Sequence, residues 1–204
     1  MTIDQVMQTS PVIPVITLDG SIDPVALAQT YVANGLRVIE VTLRTAHGLD
    51  AIRAMSGVEG AIVGAGTVLN EKQLDDAIAA GSQFIVSPGL TEPLGRAAVD
   101  RGIPFLPGIA NAGDLMRGLD LGLDRFKFFP AEASGGRAAL KAISAPFGSV
   151  RFCPTGGVTP ETAPDWLALD PVLCIGGSWL LKAGETDLAA IGARAKAAAA
   201  LRQS

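Results

Sequence analysis

Lys127 sits in the run Arg125-Phe126-Lys127-Phe128-Phe129-Pro130, a cation set among aromatic residues. With the two-residue period of a strand, Arg125, Lys127 and Phe129 point one way and Phe126 and Phe128 the other. Lysine is seldom fully buried unless paired, and burial favours the neutral amine, a nucleophile toward carbonyl carbon. Taken alone, the hexapeptide fits a solvated edge-strand lysine better than a nucleophile. The rest of the chain must decide.

Glu40 raises a similar choice. In the run from Arg37 to Arg44, alternation puts Val38, Glu40, Thr42 and Arg44 on one face and Ile39 and Val41 on the other. A carboxylate inside an apolar strand is costly unless it is paired or used. One reading is a structural ion pair between Glu40 and Arg44. The other is a general acid/base, with Arg44 receiving an anion at the rim.

Two further stretches, Thr155-Gly156-Gly157 and Gly176-Gly177-Ser178, suit an anion. Glycine turns expose successive amides, and a helical turn that follows adds its dipole. The competing reading is tight turns in a small fold. Thr67 closes Gly64-Ala65-Gly66, where small residues leave room for a ligand or a close backbone. Ser87-Pro88-Gly89 and Pro107-Gly108 read equally well as loop starts.

The elements that position these residues follow one rhythm. Apolar strand runs fall at 12–16, 37–42, 61–67, 84–87, 104–108, 125–129, 150–154 and 172–175. Helical stretches separate them: Asp23-Pro24 to Asn34-Gly35, then 46–56, 70–80, 91–101, 111–120, 136–144 and one begun by Thr159-Pro160. An alanine-rich helix runs from Asp187, and Pro14 inside the first strand predicts a bulge or irregular pairing. A short helix over 2–9 carries Ile3, Val6 and Met7 on one stripe and should cover something.

This alternation predicts the α/β class and a (β/α)₈ TIM barrel with an extra short N-terminal helix, a single domain over 1–204. An open doubly wound sheet is the alternative, but no dinucleotide fingerprint follows the first strand. In a barrel the active site lies at the C-terminal strand ends, and phosphate sits after strands seven and eight. There Lys127 and Glu40 converge across the mouth, and the two glycine turns occupy the phosphate position.

Composition narrows the classes. Hydrophobic residues at 49% and charged ones at 18% exclude a disordered chain. A net charge of -4 without a basic tail argues against nucleic acid. No stretch has the apolar length of a membrane span, and the N-terminus with Asp4 lacks a secretory pattern, so the expected location is the cytoplasm. Cys153 and Cys174 read as buried thiols, with a disulfide as the alternative. His47 is the single histidine, which excludes a multi-histidine metal site, and it belongs at the start of a helix. Trp166 and Trp179 read as packing residues. No metal and no cofactor are expected.

An amine, a carboxylate and an anion cradle together suit a Schiff base acting as electron sink, with the carboxylate moving protons. The chain resembles the 2-keto-3-deoxy-6-phosphogluconate (KDPG) and 4-hydroxy-2-oxoglutarate (KHG) aldolases. The resemblance runs through Glu40-Val41-Thr42-Leu43-Arg44-Thr45, Gly64-Ala65-Gly66-Thr67-Val68-Leu69, Ser87-Pro88-Gly89 and Lys127-Phe128-Phe129-Pro130-Ala131-Glu132. It continues in Cys153-Pro154-Thr155-Gly156-Gly157 and Gly176-Gly177-Ser178-Trp179-Leu180.

The resemblance implies class I cleavage of 2-dehydro-3-deoxy-6-phosphogluconate to pyruvate and D-glyceraldehyde 3-phosphate, with 4-hydroxy-2-oxoglutarate as a second substrate. It implies Lys127 as Schiff-base residue and Glu40 as acid/base. It places Arg44, Thr67 and Pro88 at the pyruvyl end, Phe129 beside the imine and Thr155 on the substrate. Gly156, Gly157, Gly176, Gly177 and Ser178 take the phosphate. A homotrimer is implied as well. One departure is Ile109-Ala110-Asn111-Ala112, where the family commonly has Ala-Thr-Pro; Asn111 should cap the next helix as threonine would. Two other readings compete: a phosphosugar isomerase or epimerase with Glu40 as base, and a non-catalytic phosphometabolite-binding barrel.

Overall fold

The computed structural model describes residues 1–201. A short helix, α1 (Ile3–Gln8), comes first. Thr2 and Gln5 close its N-terminus reciprocally: Gln5 N donates to Thr2 Oγ1 at 3.2 Å and Thr2 N to Gln5 Oε1 at 2.8 Å. Strand and helix then alternate as β1 (Val12–Ile16), α2 (Pro24–Ala33), β2 (Val38–Thr42), α3 (Gly48–Ser56), β3 (Ile62–Gly66) and α4 (Glu71–Ala79). Next come β4 (Phe84–Ser87), α5 (Glu92–Asp100), β5 (Phe105–Ile109), α6 (Ala112–Asp120), β6 (Arg125–Phe128) and α7 (Gly136–Ser144). The chain closes with β7 (Arg151–Pro154), α8 (Ala163–Leu167), β8 (Ile175–Gly177) and α9 (Leu188–Ala199).

The strands pair in parallel in the order β7-β6-β5-β4-β3-β2-β1-β8, and bridges Phe152↔Val172 and Thr155↔Gly176 join the ends into a barrel. Helix starts follow local chemistry. Asp23, Asn70, Asn111 and Asp187 each accept from a backbone N–H of the first turn. Asn111 thus caps α6 as expected, with Asp114 N donating to its Oδ1 at 3.0 Å. Among the described residues no helix is long and apolar enough to cross a membrane.

The apolar side chains divide into two sets. Ile39, Val41, Phe126 and Phe128 pack outward with the helices, while Ile13, Val38, Phe84, Val86 and Leu106 fill the barrel interior. Val6 and Met7 of α1 join the interior set, so α1 plugs the N-terminal end of the barrel. Arg125 Nε, at the start of β6, donates to Asp4 Oδ1 at 2.5 Å and pins the plug in place.

Three local expectations are corrected. Pro14 needs no bulge: Val12, Ile13 and Pro14 pair one-to-one with Ile175, Gly176 and Gly177, while pairing with β2 begins only at Val15. The eighth strand starts at Ile175 rather than Val172, because Ile175 N donates to Pro11 O and Val172 makes just a bridge to Phe152. Gly176 and Gly177 are therefore strand residues, not a turn after the strand. The helix expected from Thr159-Pro160 begins at Ala163; Thr159 N donates to Thr162 Oγ1 at 3.0 Å and closes a turn instead.

Candidate active site

Lys127 on β6 projects into the barrel among packed strands, beside Gly108 of β5 and Cys153 of β7. Its Nζ donates to Glu40 Oε1 at 3.0 Å and lies 3.4 Å from Oε2, and both side chains are 4% exposed. The edge-strand reading of Lys127 is thereby removed. So is the Glu40–Arg44 ion pair: Glu40 is paired across the barrel, and Arg44 Nε donates to Thr67 Oγ1 at 3.1 Å instead. Isolated buried ion pairs contribute little net stability, because desolvation offsets their attraction. A pair so placed at the C-terminal end of a barrel is more naturally explained by chemistry.

Glycines make the approach possible. A Cβ on Gly66 would lie 2.3 Å from Glu40 Oε1, and one on Gly64 2.5 Å from the Phe84 ring. The room expected around Gly64-Ala65-Gly66 is thus filled by protein side chains. Gly108 permits close backbone passage, since its Cβ would stand 2.1 Å from Pro88 O. Pro88 is thereby held against the strand residue that pairs with Lys127. Thr67 has φ 58, a left-handed conformation strained for a β-branched residue, and such outliers concentrate at functional sites.

Phe129 links the two parts of the site. Its ring centroid is 5.3 Å from Lys127 Nζ, and its edge lies 3.3 Å from the position of a Gly156 Cβ. Gly156 and Gly157 have φ of 98° and 82°, which favours glycine and turns the chain after Thr155. Thr155 is buried, and its Oγ1 donates to Cys153 O at 3.3 Å. Gly176 packs beneath it, for a Cβ there would meet Thr155 Oγ1 at 2.3 Å. Ser178 is exposed at the end of β8. No α-helix directly follows either glycine pair, because α8 starts at Ala163 and α9 at Leu188. The expected dipole contribution is absent, leaving the amides of the Gly156-Gly157 turn and of the strand end at Gly176-Gly177.

Below the pair, burial pushes the Cys174 thiol well above its ordinary 9.0, reinforced by the hydrogen bond and charge of Cys153 and the charge of Glu40. Both cysteines are free and buried. His47 lies at the N-cap position of α3, as expected, without a side-chain capping bond. Trp166 is a packing residue, but its Nε1 also donates to Glu132 Oε1 at 2.9 Å. Neither residue stands out as part of the site in sequence; the position of Glu132 just beyond the lysine strand was the available signal.

A family model described as "KDPG and KHG aldolase" matches residues 3–194. The chain belongs to that aldolase family. The KHG/KDPG aldolase of Escherichia coli K12 is 55% identical over 190 residues, covering 90% of this chain and 89% of that protein. The crystal structure of the 2-keto-3-deoxy-6-phosphogluconate aldolase of Zymomonas mobilis ZM4 with 3-phosphoglycerate superposes with a TM-score of 0.97 at 55% identity, covering 99% and 97% of the two chains. The KDPG aldolase of Legionella pneumophila, with pyruvate captured as a covalent carbinolamine intermediate, gives a TM-score of 0.94 at 39% identity, covering 98% and 99%. The family match over residues 3–194 spans the barrel strands, the plug helix and both glycine stretches.

Proposed function

We infer that the chain is a class I aldolase, reversibly cleaving 2-dehydro-3-deoxy-6-phosphogluconate to pyruvate and D-glyceraldehyde 3-phosphate. It also cleaves 4-hydroxy-2-oxoglutarate to pyruvate and glyoxylate. The observation that carries this reading is the buried 3.0 Å contact between Lys127 Nζ and Glu40. Membership of the aldolase family supports it.

Lys127 first passes a proton to Glu40, and its neutral Nζ attacks the C2 carbonyl carbon of the keto acid to give a carbinolamine. Glu40 returns that proton to the departing hydroxide, which leaves as water with formation of the iminium. The carboxylate then accepts the proton of the C4 hydroxyl. The C3–C4 bond breaks, its electron pair enters the iminium to form an enamine, and the aldehyde leaves. C3 then takes a proton, and hydrolysis returns pyruvate and the free amine. Arg44, Thr67 and Pro88 hold the pyruvyl carboxylate end, and Phe129 walls the imine. Thr155 contacts the substrate, while Gly156, Gly157, Gly176, Gly177 and Ser178 receive the phosphate.

The chain acts as a single cytoplasmic domain and as a homotrimer. Sedimentation analysis tests the assembly. The catalytic reading is tested by borohydride reduction with pyruvate, which leaves a stable adduct on Lys127. Folded protein that acquires no adduct there overturns it.

A further inference from the structure

We propose that Glu132 is a positioning residue that locks the phosphate turn Thr155-Gly156-Gly157 to the segment carrying Lys127. The inference rests on the aldolase reading above and concerns how the two ends of the substrate are kept at a fixed separation. Beyond the ends of β6 and β7 the two chains stay paired: Ala131 N donates to Thr155 O at 2.7 Å and Glu132 N to Gly156 O at 3.0 Å. Gly157 lies directly on the Glu132 stem, since a Cβ there would stand 2.7 Å from Glu132 Cβ and 2.8 Å from its Cγ. Two backbone hydrogen bonds fix the start of the turn, and at Gly157 it rests on the Glu132 side chain.

Glu132 is itself anchored from below. Trp166 is fully buried, its ring centroid 6.3 Å from that of Phe128, and its Nε1 donates to Glu132 Oε1 at 2.9 Å. A buried indole N–H needs an acceptor, and Glu132 provides it. A carboxylate beside a phosphate cradle is electrostatically adverse unless its charge is engaged elsewhere. One oxygen meets the indole, and the other lies 3.4 Å from the Cβ position of Gly136 at the N-terminus of α7, where the helix dipole favours an anion. Glu132 thus ties Trp166, the phosphate turn and the strand of Lys127 into one unit.

Steady-state kinetics on the phosphorylated keto acid and on its dephosphorylated analogue test this, because the two share a carbon skeleton. Glu132→Ala should lower kcat/KM for the phosphorylated substrate by roughly tenfold, chiefly through KM. The analogue, and the borohydride-trapped pyruvate adduct on Lys127, should stay within about twofold of the unaltered protein. Glu132→Gln keeps the acceptor for Trp166 and should restore the phosphorylated reaction to within about twofold. If the alanine variant is unstable, Glu132→Leu retains the stem beneath Gly157 and repeats the comparison. Equal losses on both substrates, no loss on either, or a glutamine variant as impaired as alanine overturns the proposal. Absence of the pyruvate adduct in the unaltered protein overturns the aldolase reading itself, which a failed phosphate split does not.

Discussion

At the N-terminal end of the barrel Val6 and Met7 of the plug helix pack against Ile13, Val38, Phe84 and Leu106, whereas the C-terminal end holds Glu40, Lys127 and Thr155. Both interiors are buried, yet the plugged end is apolar inside, with its ion pair Arg125–Asp4 part-exposed at the margin, while the other end buries an amine and a carboxylate in contact. The difference assigns separate work to the two ends. Apolar burial at the plugged end stabilises the fold by about 25 cal/mol per Å² removed from water. The charged end adds little net stability, and in the proposed reaction its amine is the nucleophile and its carboxylate the proton carrier. Stability and activity should therefore be separable by mutation.

The largest effect expected from breaking the comparison is at the charged end. The double variant Lys127→Met with Glu40→Leu removes both charges and leaves neither group unpaired. Cleavage should fall by more than about 10⁴-fold. Replacing a buried ion pair by apolar residues is often neutral or stabilising by ~1–4 kcal/mol, so Tm should hold or rise. A lowered Tm would assign the pair a structural role. At the plugged end, Met7→Ala should do the reverse. Unfolding free energy falls by about 2–5 kcal/mol, read by urea denaturation, as a buried side chain leaves a cavity. Its kcat/KM should remain within about twofold, and a large loss of activity would show that the plug shapes the catalytic end.

The same two ends differ in how far they were legible in sequence. The stripe Ile3, Val6, Met7 and the alternation around Glu40 follow from local periods, and both led to correct placements. The partner of Glu40 had two candidates. Arg44 is close in sequence, but the partner is Lys127, 87 residues away, which only the expected barrel set opposite Glu40 across the mouth. Spacing within one strand cannot reveal a contact across it. Gly66 looked like room for a ligand, whereas it makes room for Glu40; only the packed structure says what fills the space of a missing side chain. Gly176 and Gly177 looked like a turn by composition, yet barrel closure against β1 makes them strand. The contact of Glu132 was hidden because it follows β6 in a connecting turn while its partner Trp166 lies 34 residues on, in α8.

Cys174 stands between the two ends and gives the smallest and sharpest test of their boundary. It packs with the apolar interior while sensing the charge of Glu40, and its thiol is raised above the ordinary 9.0, burial being the largest cause. Its sign follows from proton counting. Above pH 9.0 the unfolded chain ionises this thiol, while the folded protein keeps the proton and so binds more protons than the unfolded state. The stabilisation is complete below that pH and is lost as pH rises, by at most about 1.4 kcal/mol per unit. Tyr31, raised from its ordinary 10.0 mainly by burial, adds its own slope only at higher pH. Urea midpoints measured between about pH 8 and 10 should decline more steeply for the unaltered protein than for Cys174→Ala. Parallel declines would place Cys174 in contact with solvent and move the boundary of the apolar end below it. A shallower decline for the alanine variant places that boundary directly under Glu40.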